Sequence, residues 1–181
     1  MSATRRRRQN GLATVRNEHD FYATPGWVTD LLIAELVPQC YGFKWGEPAA
    51  GTGAIIERFV LAGGEPSAWE WAELTEGRDY LKDGMTGRVD GIVTNPPFIL
   101  AQEFITRSLG EAMFNAYLLR LNFFGSQKRK QWWRTRIPTH LFVLSERPRF
   151  VYGKGTDATE YAWFVWDYVG LCRRRPGIYV I

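Results

Sequence analysis

Chemistry is concentrated in one tetrapeptide. Asn95-Pro96-Pro97-Phe98 directly follows the apolar run Val89-Asp90-Gly91-Ile92-Val93-Thr94, so a polar loop is presented where a predicted strand ends. Pro96 and Pro97 fix their backbone torsions and carry no amide donor. The Asn95 side-chain oxygen and the proline carbonyls thus form a preset acceptor cluster, and Phe98 adds a flat face beside it. Acceptors next to an aromatic ring suit a planar amine. As backbone alone, the same residues would simply terminate a strand.

A second feature lies upstream. Gly46-Glu47-Pro48-Ala49-Ala50-Gly51-Thr52-Gly53-Ala54 separates a short strand predicted over Tyr41–Trp45 from a helical run over Ile55–Leu61. Gly51 and Gly53 let the backbone turn tightly and approach a ligand, while the helix start offers unpaired amides and its positive dipole end. Alone, this is also an ordinary strand-to-helix turn. In an open α/β sheet both loops would sit beyond the carboxyl ends of the strands, where ligands bind.

Glu-Pro-Ala-Ala-Gly-Thr-Gly at Glu47 to Gly53 followed by Asn-Pro-Pro-Phe at Asn95 to Phe98 resembles the amino-group S-adenosylmethionine-dependent methyltransferases. Within them the pattern is similar to the phage and prophage DNA N6-adenine methyltransferases. Tyr22-Ala23-Thr24-Pro25 matches a Tyr-x-Thr-Pro segment of those enzymes, and Thr156 to Trp163 reads like one of their late strand pairs. The resemblance spans about Asp20 to Tyr168. It implies S-adenosylmethionine as cofactor, transfer of its methyl group to the N6 amine of adenine in DNA, and a cytoplasmic setting in a bacterial host. Carried over residue by residue, Glu47, Ala49, Gly51 and Gly53 would line the methionine part of the cofactor. Thr24 and Pro25 would close its far side, with Tyr22 alongside. Glu73 would accept from the ribose hydroxyls if the second strand ends there rather than at Glu70. Asp79 would take the cofactor's adenine amine, with Tyr80 beside it, although Arg78-Asp79 also fits a surface turn. RNA adenine or guanine and protein glutamine offer the same kind of planar nitrogen. From another class comes a non-catalytic nucleic-acid-binding scaffold.

The implied reaction asks little of acid–base groups. An adenine amine is a poor nucleophile because its lone pair is delocalised into the ring. Hydrogen bonds to the Asn95 oxygen and the Pro96 carbonyl would localise that pair, so positioning and fixed dipoles supply the catalysis. A flipped-out base could stack on Phe98. The chain has 2 histidines and 2 cysteines, His19, His140, Cys40 and Cys172, without metal-ligand spacing, so no metal is expected. His140 is expected at a strand start, and Trp163 and Trp166 in the core.

Composition narrows the class further. A chain of 181 residues, 45% hydrophobic and 23% charged, can bury a core, which excludes a disordered or disulfide-stapled protein. No apolar run reaches membrane-spanning length. The net charge of +4 equals the contribution of Arg5, Arg6, Arg7 and Arg8. Residues 1–18 are expected to form a basic flexible arm, and 19–181 one methyltransferase domain without a separate target-recognition domain. A second basic cluster holds Lys128, Arg129, Lys130, Arg134 and Arg136 around Trp132 and Trp133. It is a candidate nucleic-acid surface, cations on phosphates and rings on bases, or else a solvated loop. Arg173 to Arg175 fit a phosphate contact or a solvated turn equally. No oligomeric state follows from these residues.

Several elements must hold the two loops. Thr24 and Pro25 read as the cap and first residue of a helix through Leu36, and Ser67–Ala72 and Arg88–Thr94 as strands. Ala101–Gly110 reads as a helix, Ala116–Asn122 as a buried strand, Gln127–Trp133 as a basic helix or loop, and His140–Ser145 as a strand. Runs at Glu160–Val169 and Gly177–Ile181 complete the pattern. The fold class is α/β: a Rossmann-like, mostly parallel seven-stranded sheet with an antiparallel C-terminal hairpin and helices on both faces.

Overall fold

Strands and helices alternate from Gly26 to Val143, and two further strands follow. The computed structural model describes residues 23–150 and 159–181; the predicted arm at 1–18 and Tyr22 lie outside them. In chain order the elements are α1 (Gly26–Ala34), β1 (Trp45–Glu47), α2 (Ala54–Leu61), β2 (Trp69–Trp71), α3 (Tyr80–Asp83) and β3 (Gly91–Thr94). They continue as α4 (Ala101–Ser108), β4 (Phe114–Arg120), α5 (Lys130–Trp133), β5 (His140–Val143), β6 (Tyr161–Asp167) and β7 (Gly177–Val180).

Seven strands form one sheet in the order β2-β1-β3-β4-β6-β5-β7. β1 pairs in parallel with β2 and β3, and β3 with β4. β6 runs against both β4 and β5, while β7 is parallel to β5. The antiparallel hairpin is therefore β5 with β6, and β7 closes the edge. This is the α/β sheet expected from the alternating pattern.

Alternation along the strands divides the core. Phe114, Ala116 and Leu118 of β4, with Tyr161, Trp163 and Val165 of β6, face Val28, Leu32, Ile55 and Phe59 of α1 and α2. Tyr117 and Leu119, with Ala162, Phe164 and Trp166, face Tyr80, Phe104, Ile105 and Trp133 of α3, α4 and α5. Such period-2 alternation is what a sheet covered on both faces requires. Trp45 anchors the first layer, 5.1 Å from Phe59 and 5.6 Å from Phe114 between ring centroids. Each such aromatic pair contributes about 0.5–1.5 kcal/mol beyond its buried area. Trp163 and Trp166 are fully buried, as expected.

Several readings change: Ser67–Ala72 enters the sheet only at Trp69, after a 3-10 turn at Pro66–Ala68, and Ala116–Asn122 leaves it at Arg120. Tyr41–Trp45 is not a strand: Pro38–Gly42 forms a 3-10 turn and β1 starts at Trp45. Pro38 sets the torsion for that turn at its first position, and Trp45 bonds back to it, Nε1 donating to the Cys40 carbonyl at 3.0 Å. The run read as a strand from Arg88 enters the sheet only at Gly91. Arg174 does not wait for a phosphate but pairs with Glu35 at 2.5 Å, and Arg173 donates to the Leu36 carbonyl. Both tie the β6–β7 connection to the end of α1.

Candidate functional site

The order β2-β1-β3 places a switch point between β1 and β3, and the loops after these parallel strands lie on one edge of the sheet. The glycine turn is fixed there by its neighbour strand. Ala50 N–H donates to the Ala72 carbonyl and Ala72 N–H to the Glu47 carbonyl, at 3.1 and 3.0 Å. Gly51 N–H donates to Glu73 Oε2 at 2.8 Å. Gly53 closes the turn as N-cap of α2 with φ 76°, a conformation in which a side chain is strained.

A cavity of about 580 Å³ opens beside this turn. Its lining brings together Thr24, Glu47, Ala49, Gly51, Glu73, Asp79, Tyr80, Asn95 and Pro97 from five separate stretches of chain. Pro25, Gly53, Pro96 and Phe98 are not part of that lining. Pro25 and Gly53 act instead as the N-caps of α1 and α2. The sequence reading missed Leu74, Leu81, Leu100 and Phe104, which give the cavity an apolar wall. The four-residue spacing of Leu100 and Phe104, at the start of α4, was the available signal.

Its polar groups differ in state. Glu47 is 2% exposed and its Oε2 has no hydrogen-bond partner among the described residues. Burial pushes its carboxyl well above the usual carboxylate range, a hydrogen bond from Ile56 N–H opposes this, and the Glu73 charge adds to it. Glu73 is already engaged, accepting from Gly51 and from the Thr75 amide and hydroxyl. Asp79 caps α3 by accepting from Leu81 N–H, and Lys82 at 3.0 Å lowers its pKa. The Tyr80 hydroxyl donates to Glu111 at 2.8 Å, so its ring rather than its oxygen serves the cavity.

The second loop is only partly open. The Pro97 carbonyl accepts from Leu100 N–H at 2.9 Å, which occupies one of its two lone pairs. Asn95 Nδ2 donates to Thr24 Oγ1 at 3.2 Å. Thr24 does not cap α1, whose start shows no side-chain cap bond. Phe98 packs partly into both core layers, and the Arg120 guanidinium lies 4.7 Å from its ring centroid. A face expected to receive a base is thus covered by an arginine at the carboxyl end of β4.

The basic segment is divided in the same way. Lys128, Lys130 and Arg134 are exposed. Arg129 stacks 4.2 Å over Phe123 and donates to its carbonyl, and Arg136 lies 5.7 Å from the Trp132 ring. Trp133 is buried and stacked on Phe124, and Trp132 Nε1 donates to Thr106. Trp133 is therefore core rather than a platform for bases. His140, Asp167 and Cys172 hold possible ligand atoms within 4.8 Å of one another. Asp167 instead accepts from the backbone amides of Val169, Gly170, Leu171 and Cys172, and His140 Nε2 meets the Arg174 carbonyl. That set closes the turn after β6. No described helix is long and apolar enough to cross a membrane.

No protein-family model and no curated protein matches the chain. Solved structures do. One, a candidate RNA methyltransferase from Pyrococcus horikoshii, aligns with TM-score 0.61 at 15% identity over 82% of this chain and 86% of its own. Another, a candidate class I S-adenosylmethionine-dependent methyltransferase from Listeria monocytogenes, aligns with TM-score 0.59 at 12% identity. The alignment covers 87% of this chain and 64% of the Listeria protein. The chain thus has the Rossmann-like fold of class I methyltransferases.

Proposed function

We propose that the chain transfers the methyl group of S-adenosylmethionine to the N6 amine of adenine in DNA. One observation carries this reading: the glycine turn after β1 and Asn95 after β3 open on the same cavity. The lining fits the cofactor. Glu47 Oε2, buried without a partner among the described residues, suits an ammonium group, and the wall of Leu74, Leu81 and Phe104 suits a flat apolar ring. S-adenosylmethionine supplies an electrophilic methyl on a sulfonium. The Asn95 side-chain oxygen and the Pro96 carbonyl accept the two amine hydrogens, turning the nitrogen lone pair toward that methyl, and the surplus proton leaves to water. For a base to stack on Phe98, Arg120 must swing away.

Exposed Lys128, Lys130 and Arg134 support a nucleic-acid acceptor over protein glutamine. RNA adenine is the second reading, favoured by the fold shared with the Pyrococcus protein. The test is incubation of the pure protein with methyl-labelled S-adenosylmethionine and, separately, duplex DNA, single-stranded DNA, RNA and protein lysate. N6-methyladenine in digested DNA is the expected product. Label confined to RNA moves the acceptor, and no label in any polymer with no cofactor binding refutes the reading.

A further inference from the structure

We infer that Thr24 is a positioning residue whose hydroxyl sets the rotation of the Asn95 carboxamide. The inference rests on the proposed amine methylation. A threonine just before Pro25 would ordinarily cap the helix that follows, yet α1 takes no side-chain cap bond. Thr24, 6% exposed on the cavity wall, accepts instead through its hydroxyl from Asn95 Nδ2 at 3.2 Å, across 71 residues of sequence.

A carboxamide has a donor edge and an acceptor edge of nearly equal size, so its rotation decides which one a substrate meets. With Nδ2 committed to Thr24, Oδ1 is directed to the opposite side, as an amine acceptor requires. Rotated by half a turn, Asn95 would offer N–H to an N–H and repel the substrate.

The hydroxyl stands on a fixed base. α1 is held to α2 by the two-pronged Arg58–Asp30 pair, both contacts at 2.7 Å, and to β6 by Trp163 Nε1 donating to the Val28 carbonyl at 2.9 Å. Asn95 follows Thr94, the fully buried end of β3. Both partners thus stand within two residues of a packed element.

Thr24→Val keeps the shape and removes the acceptor; Thr24→Ser keeps the acceptor. Thr24→Val is expected to lower kcat about ten- to a hundredfold, measured at saturating S-adenosylmethionine, with the polymer KM within about threefold of the parent. Thr24→Ser is expected to stay within about threefold in kcat. In 15N-labelled protein without cofactor, the Asn95 side-chain amide signals, assigned by their absence from Asn95→Ala, should shift and exchange faster in Thr24→Val but not in Thr24→Ser. Parental kcat in Thr24→Val, equal losses in both variants, or unmoved amide signals overturn the inference. Should the parent methylate nothing, the functional reading fails, while the amide signals still decide whether Thr24 holds Asn95.

Discussion

Asn95 offers an acceptor for the amine, whereas Glu47 offers one for the cofactor, so removing each should separate two properties. Asn95→Ala is expected to abolish turnover while cofactor affinity, measured by calorimetry, stays within about fivefold. Loss of affinity with turnover per bound enzyme unchanged would move Asn95 to the cofactor side. Glu47 leaves a mark even without a reaction. Its carboxyl is held above the ordinary value of 4.5, chiefly by burial, so the folded protein keeps a proton that the unfolded chain releases. The sign follows: this contribution to stability is complete below about 4.5 and is lost as pH rises toward the raised value. Denaturant unfolding followed as pH rises above 4.5 should show that loss, with a slope of up to about 1.4 kcal/mol per pH unit, and Glu47→Gln should flatten it.

Among the elements, β3 depends on a missing side chain. A Cβ at Gly91 would lie 2.4 Å from Trp45 Cζ3, and the indole cannot retreat because Phe59, Trp69 and Phe114 enclose it. Gly91→Ala should therefore cost about 1–3 kcal/mol, read as a fall in Tm, with turnover reduced because Asn95 directly follows the same strand. Loops of this kind were legible in the sequence because glycine, proline and asparagine restrict the backbone wherever they stand. Ile92, Val93 and the run through β6 were legible because strands covered on both faces are almost continuously apolar. Tyr41 and Phe43 were misread because aromatic residues favour strands, whereas Pro38 and the bond from Trp45 to Cys40 decide the local path. Trp133 looked available for bases because its neighbours are charged, and only the packing of Phe124 and Phe164 against it reveals a core residue. The link between Thr24 and Asn95 joins residues that no local pattern connects.

Across the whole molecule, the polyanion reading makes a quantitative demand. If Lys128 and Lys130 each meet one phosphate, replacing both by alanine should reduce the slope of log affinity against log salt by about 1.8 on duplex DNA and about 1.4 on a single strand. An unchanged slope would remove the segment from the interface. Arg129 is a poor probe of the same question, since its loss would also disturb Phe123. The strand order has a different consequence, one for the birth of the chain. A ribosome delivers β1 to β5 before it makes β6, the strand that belongs between β4 and β5. Until Tyr161–Asp167 emerges, β4 presents an unpaired seven-residue edge that is apolar on both faces, the kind of edge that recruits strands from other chains. Nascent chains halted after β5 are therefore the species most prone to aggregate, and synthesis of one late strand is what makes the sheet safe.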